Sequence, residues 1–148
     1  ETEIRQLTEQ QSLVLAAEKL LGNGLKTLVV KRGEYGAVVF HPSFTFALPA
    51  YPIARVADPT GAGDSFAGGF MGHLAATNSS VSNNFEESIR LATVTGSVMA
   101  SFAIESFGTE RLNNLTPDDI HKRFNEFSDL TRIRPICDGP GLSIRTAG

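Results

Sequence analysis

The sequence predicts a layered α/β domain, and three observations carry that prediction. Apolar residues recur at helical spacing in several segments, short runs rich in β-branched residues lie between the first helix and the next, and a glycine turn, Gly61-Ala62-Gly63, stands where a strand hands over to a helix. With 148 residues, 41% of them hydrophobic, the chain is long enough for one domain with a real core. No internal repeat or low-complexity tract interrupts it.

Leu13, Val14, Ala17, Leu20 and Leu21 repeat at helical spacing, Thr8 and Gln11 match a capping box, and Gly22 and Gly24 end the helix. Residues 25–30 form an apolar, β-branched run, followed by a turn at Arg32-Gly33-Glu34-Tyr35-Gly36 and a second run at 37–40. Alternation predicts a third strand at 44–48 and a fourth at 53–57, just before the glycine turn. Residues 64–76 then place Phe66, Phe70, Met71 and Leu74 on one broad helical face. Within that helix Ala67, Gly68, Gly69 and Gly72 are small; the glycines cost up to about 1 kcal/mol each, so another backbone is expected close by. The helix over 85–102, with Ala92, Gly96 and Ala100 at spacing four, is the expected neighbour, small residues facing small. A last helix starts at Thr116-Pro117 and presents Ile120, Phe124 and Phe127 on one side. The domain is expected over residues 1–130, with a loose tail over 131–148.

A net charge of -3 leaves no basic footprint for nucleic acid, and no apolar stretch approaches the length needed to cross a bilayer. The single cysteine, Cys137, has no partner for a disulfide and no companions at zinc spacing, which points to a reducing, cytoplasmic setting. The sequence starts without methionine or a leader, which predicts a piece of a longer product.

The most informative segment is Asp58-Pro59-Thr60-Gly61-Ala62-Gly63-Asp64. Gly61 and Gly63 let the backbone turn sharply and let a ligand approach amides whose N–H groups, unpaired at a helix start, point toward an anion. Asp64, in the first helical turn, stays ionised because the dipole favours a negative side chain there by about 0.3 to 1 kcal/mol. A carboxylate beside an anion bound in such a hole is repelled by it unless separate groups fill the two roles. A transferring phosphoryl on the amides and an acceptor hydroxyl against Asp64 resolve the conflict, which is the layout of a kinase site. Asp in a first turn after Gly is also an ordinary helix start. Glycine on both sides of Ala62 and a second acid at Asp58 set this one apart.

Asp58 to Asp64 resembles the Asp-x-Thr-Gly-Ala-Gly-Asp signature of the ribokinase-like, or PfkB-type, carbohydrate kinases. The resemblance implies a partial ribokinase-like three-layer α/β/α fold, the carboxyl-terminal half of such a domain. It makes Asp64 the catalytic base and the amides of Gly61, Ala62 and Gly63 the anion hole, with ATP and Mg²⁺ as cofactors. Lys31-Arg32-Gly33-Glu34-Tyr35-Gly36 is similar to the family's nucleotide-touching Thr-x-Gly-x-x-Gly element, with Lys31 in place of Thr and able to reach phosphate. Glu3 resembles the glutamate of the Asn-x-x-Glu motif, which helps hold magnesium through water. Thr93 stands where Asn or His often bonds near the adenine. Asp58 and Thr60 match positions that bind a monovalent cation, potassium, in some members; residues 102–108 do not clearly reproduce the remaining ligands.

The expected activity is ATP-dependent phosphoryl transfer to a hydroxyl of a sugar or nucleoside. Family members take most acceptor contacts from their other half, so this chain alone is expected to have little sugar kinase activity. The rival reading is a nucleotide-binding or interaction module without catalysis of its own. Exposed strand edges of a half-domain predict self-association into a homo-oligomer. His41, His73 and His121 show no ligand spacing and take no role, and Asn78-Ser79-Ser80 and Asn114-Leu115-Thr116 are chance glycosylation patterns.

Overall fold

The computed structural model describes residues 1–77 and 84–132. The expected tail, Cys137 and the Asn78-Ser79-Ser80 pattern lie outside the described residues, the tail but for its first two positions. Helices α1 (Thr2–Thr8) and α2 (Leu13–Gly22) precede strand β1 (Leu28–Lys31), a single 3₁₀ turn at Gly33–Tyr35, and strands β2 (Ala37–His41) and β3 (Phe44–Leu48). Helices α3 (Ala62–Ala76), α4 (Phe85–Ala103), α5 (Glu110–Asn113) and α6 (Pro117–Leu130) follow.

The three strands pair antiparallel in the order β1-β2-β3, with Val29 opposite Val39 and Val39 opposite Phe46. Alternation along the strands divides the side chains between two cores. Val30, Phe40, Leu28 and Val38 meet Ala17, Leu13 and Leu21 of α2 and Ile4 of α1 on one face. Leu48 and Phe46 meet Val94, Val98 and Phe102 of α4 and Phe127 of α6 on the other. The sheet is thus the middle of three layers, helix on both sides. Phe102 and Phe127 are fully buried, each contributing about 1.5 to 3 kcal/mol of transfer free energy.

The fourth strand expected at 53–57 does not form. Its backbone finds a helix end instead of a strand: Ala57 N–H donates to the Ile104 carbonyl at 2.8 Å, just past the end of α4. The start of the first long helix is also corrected. Thr8 closes α1, its hydroxyl donating to Ile4 O at 2.7 Å, and Glu9 follows in the left-handed region at φ 57°. Ser12 caps α2, accepting from Leu15 N at a long 3.4 Å.

The close approach expected between α3 and α4 is present, but small residues meet large ones rather than each other. A Cβ on Gly96 would lie 2.8 Å from Phe66 O and 3.2 Å from its ring, and one on Gly69 would lie 2.7 Å from Met99 Cγ. Gly68 and Gly72 face open space, and Met71, expected on the packed face, is 61% exposed. At the α3–α4 seam His73 Nδ1 lies 3.1 Å from Thr95 Oγ1, and burial lowers the pKa of the ring. The start of α6 carries a full capping box, Thr116 and Asp119 each holding the other's amide.

Candidate active site

The site grows from two loops that leave the sheet and the α3–α4 pair at the same end. After β1 the chain turns through Gly33, at φ 57°, and Gly36, at φ 88°. A Cβ on Gly36 would lie 2.1 Å from Leu48 O, so only glycine lets β2 start against the end of β3. The second loop runs from Asp58 to α3. Asp58 Oδ1 accepts from Thr60 N at 2.9 Å, and the Thr60 hydroxyl and amide hold the Asp58 carboxyl below its usual range. Gly61, at φ 78°, then turns the chain into α3.

Lys31 joins the two loops: its Nζ donates to Gly63 O at 3.0 Å. Among the described residues no carboxylate pairs with this ammonium, so it brings an uncompensated positive charge to the start of α3. Of the three amides expected to form an anion hole, that of Ala62 donates to Pro59 O at 3.3 Å, a long bond. The amides of Gly61, Gly63 and Asp64 have no acceptor among the described residues. The carboxylate of Asp64 is exposed and has no partner there either.

Beside these loops lies a cavity of about 930 Å³, within the range of small-molecule sites. Lys31, Gly33, Glu34 and Gly36 line it from the first loop, and Pro59, Ala62 and Gly63 from the second. Arg32 and Tyr35 do not line it. Arg32 donates to Glu1 Oε2 at 2.6 Å and Tyr35 is 69% exposed, with the Arg32 guanidinium 5.9 Å from its ring centroid. The Arg32 and Arg5 bonds to Glu1, in that order, keep the Glu1 carboxyl below its ordinary range and tie α1 to this loop. Asp64 stands outside the cavity, past Gly63.

Thr93 is also elsewhere. It is fully buried and its hydroxyl donates to Ile89 O at 2.7 Å, so the structure keeps it in the core of α4 rather than on the cavity wall. The α4 residues on the cavity wall lie one and two turns further along. Ser97, Ala100 and Ser101 line the cavity together with Tyr51, Ile53 and Val56. A row of hydroxyls at spacing four, Thr93, Ser97 and Ser101, was the available signal.

From behind, α6 braces this wall. The Arg123 guanidinium donates to Ser101 Oγ at 3.1 Å and to Glu105 Oε1 at 2.6 Å, and lies 3.6 Å from the Phe102 ring centroid. Tyr51 O–H donates to Glu126 Oε2 at 2.8 Å, a bond that raises the Tyr51 pKa.

Among the described residues no three Asp, Glu, His or Cys side chains converge to hold a metal. Glu3 is exposed on the first turn of α1, away from the cavity lining, and Asp58 is already engaged by Thr60. Among the described residues Glu3, Asp58 and Thr60 thus do not converge on one point.

Three layers, with amides that have no acceptor among the described residues and a lysine ammonium beside them at a helix start, define an α/β domain of the ribokinase type. The chain belongs to the pfkB family of carbohydrate kinases, whose family model matches residues 1–112. It is 44% identical over 73 residues to the cytidine kinase of Thermococcus kodakarensis, covering 48% of this chain and 26% of that one. Against fructokinase-1 of Oryza sativa subsp. japonica it is 34% identical over 96 residues, covering 62% and 29%. The aminoimidazole riboside kinase of Salmonella enterica, solved with aminoimidazole riboside and an ATP analogue, superposes with a TM-score of 0.69 at 26% identity, over 83% of this chain and 39% of that one. The chain thus spans between about a quarter and two-fifths of the length of these relatives.

Proposed function

We propose that this chain is the nucleotide-binding and catalytic half of an ATP-dependent kinase acting on a hydroxyl of a sugar or nucleoside. The observation that carries the reading is the opening of α3, where among the described residues the amides of Gly61, Gly63 and Asp64 have no acceptor, the Lys31 ammonium no counterion and the Asp64 carboxylate no partner. MgATP is the substrate that suits it, its phosphates against the amides and Lys31, its base and ribose in the cavity. Lys31, Gly33, Glu34 and Gly36 serve as nucleotide contacts in this reading.

In the reaction the acceptor oxygen attacks the γ-phosphorus, the bond from that phosphorus to the ADP oxygen breaks, and Asp64 receives the acceptor's proton. The transition state is loose, so positioning and charge neutralisation do most of the work and the carboxylate acts late. The acceptor class follows from the relatives, which act by name on cytidine, fructose and aminoimidazole riboside. A cytoplasmic setting, where ATP is at hand, and self-association through the open edges of β1 and β3 belong to the same reading.

Asp64→Asn in the protein that carries this chain together with its acceptor-binding half should lower phosphoryl transfer by about 10² to 10⁴ while leaving the ATP dissociation constant within twofold. Undiminished transfer would remove Asp64 from the chemistry. The position of Asp64 outside the cavity, and the short span relative to the kinases, favour a second reading for the chain by itself: a module that binds nucleotide without turning it over. Calorimetric titration of the 148-residue chain with MgATP, with and without fructose or cytidine, separates them, since a working acceptor site makes the two ligands cooperate.

A further inference from the structure

Five hydroxyl side chains lie along α4, and four of them are spent inside the protein. Ser88 donates to Asn84 O at 3.2 Å, Thr93 to Ile89 O at 2.7 Å, Thr95 to Leu91 O at 2.9 Å and Ser101 to Val98 O at 2.6 Å. Bonding back to a carbonyl three or four residues earlier is the ordinary fate of a helical hydroxyl. Ser97 is the exception. It is only 7% exposed, lines the cavity, and has no hydrogen-bond partner among the described residues. Its oxygen is open to the cavity rather than enclosed, and since no protein hydrogen bond would be lost and alanine has the higher helix propensity, Ser97→Ala should leave folding intact.

The surroundings indicate what the hydroxyl meets. Ala100, Ile104, Ile53, Val56 and Tyr51 supply apolar lining, and Lys31 and Gly63 of the two loops line the same cavity. A flat heterocycle with polar edges suits such walls, and a phosphate does not. Arg123, which grips Ser101, and Gly96, closed on Phe66, hold this stretch of α4 in place.

We infer that Ser97 is the base-reading residue of the nucleotide site, its hydroxyl hydrogen-bonding the polar edge of a purine. The inference rests on the proposed nucleotide function of this cavity and assigns to Ser97 the role that the family pattern would give to Thr93. Serine both donates and accepts, so it can serve either a ring nitrogen or an exocyclic amine.

The test is calorimetric binding of MgATP and of inorganic triphosphate to the wild-type 148-residue chain and to Ser97→Ala, with a thermal melt of each. Losing one neutral hydrogen bond should weaken MgATP binding about 3- to 10-fold, leave triphosphate binding unchanged, and leave the melting temperature equal or higher. That combination is one a merely structural serine does not produce. Equal MgATP affinity in the two proteins overturns the role of Ser97 and leaves the nucleotide site standing. Equal losses for ATP and triphosphate, or a lowered melting temperature that accounts for the loss, also overturn it. Absence of MgATP binding by the wild-type chain removes this role and the nucleotide function together.

Discussion

Gly36 and Gly61 both sit at positive φ, yet the structure asks different things of them. At Gly61 a Cβ would meet nothing within 4 Å, so Gly61→Ala pays only for the left-handed backbone, about 1 to 2 kcal/mol. At Gly36 it would strike Leu48 O and the backbone of Pro49 and Ala50, none of which can give way without parting β2 from β3. Gly36→Ala should therefore destabilise by about 2 kcal/mol or more beyond Gly61→Ala, read as a difference in urea midpoint. Two carboxylates predict the response to acid. Asp58 and Asp119 both titrate below their ordinary value of 3.8 because Thr60 and Thr116, respectively, donate to them. A lowered folded pKa means that their contribution is complete above the unfolded value and fades as pH falls through the folded one. Melting curves below pH 4 should thus show a shallower acid loss in Asp58→Asn and Asp119→Asn than in the wild type. Parallel losses in all three would contradict the assignment. At this scale the sequence was most readable where chemistry is local: the turn from Asp58 to Asp64 announces itself because glycines, acid and helix start are neighbours in the chain. Ser97 was not readable, since which of three evenly spaced hydroxyls opens onto a cavity depends on how α4 is rotated against α3.

That rotation is set between elements. Gly96 admits Phe66 to the surface of α4, and its missing side chain decides the spacing of the two helices. Gly96→Ala gains up to about 1 kcal/mol of helix propensity but places a Cβ 2.8 Å from a backbone carbonyl, at an overpacking cost of about 1 to 3 kcal/mol. The clash should win, giving net destabilisation in urea together with weaker nucleotide binding, because the cavity wall moves with the helix. Helices α4 and α6 were legible from periodicity and the Thr116-Pro117 start, and β1 to β3 from their short β-branched or aromatic runs. Residues 53–57 misled for a physical reason. Their composition suits a strand, but a strand exists only if a neighbour offers a ladder, and here the available acceptor is Ile104 O at the end of α4. Thr8 and Ser12 show a milder ambiguity, two residues of equal capping chemistry four apart, settled by the short helix α1 that consumes the first.

Taken whole, the molecule is a sheet between two helical layers with one end given over to loops, and it covers only part of the length of its kinase relatives. The Lys31 ammonium of the first loop holds the Gly63 carbonyl of the second, so the start of α3 is tied to the end of β1 and through it to the sheet. The far wall of the cavity has a different anchor. The match to the family model ends at residue 112, before α6 begins, yet Arg123 and Phe127 of that helix complete the wall and the core behind it. A gene trimmed to the recognised family boundary would consequently encode a protein with a hole where Phe127 belonged and Glu105 stripped of Arg123. Losing Phe127 alone is worth about 3 to 5 kcal/mol, a large share of what a domain this size holds in reserve. Limited proteolysis should digest a 1–112 polypeptide rapidly while one ending at 132 resists, and anyone choosing where to cut this chain for expression should keep the last helix.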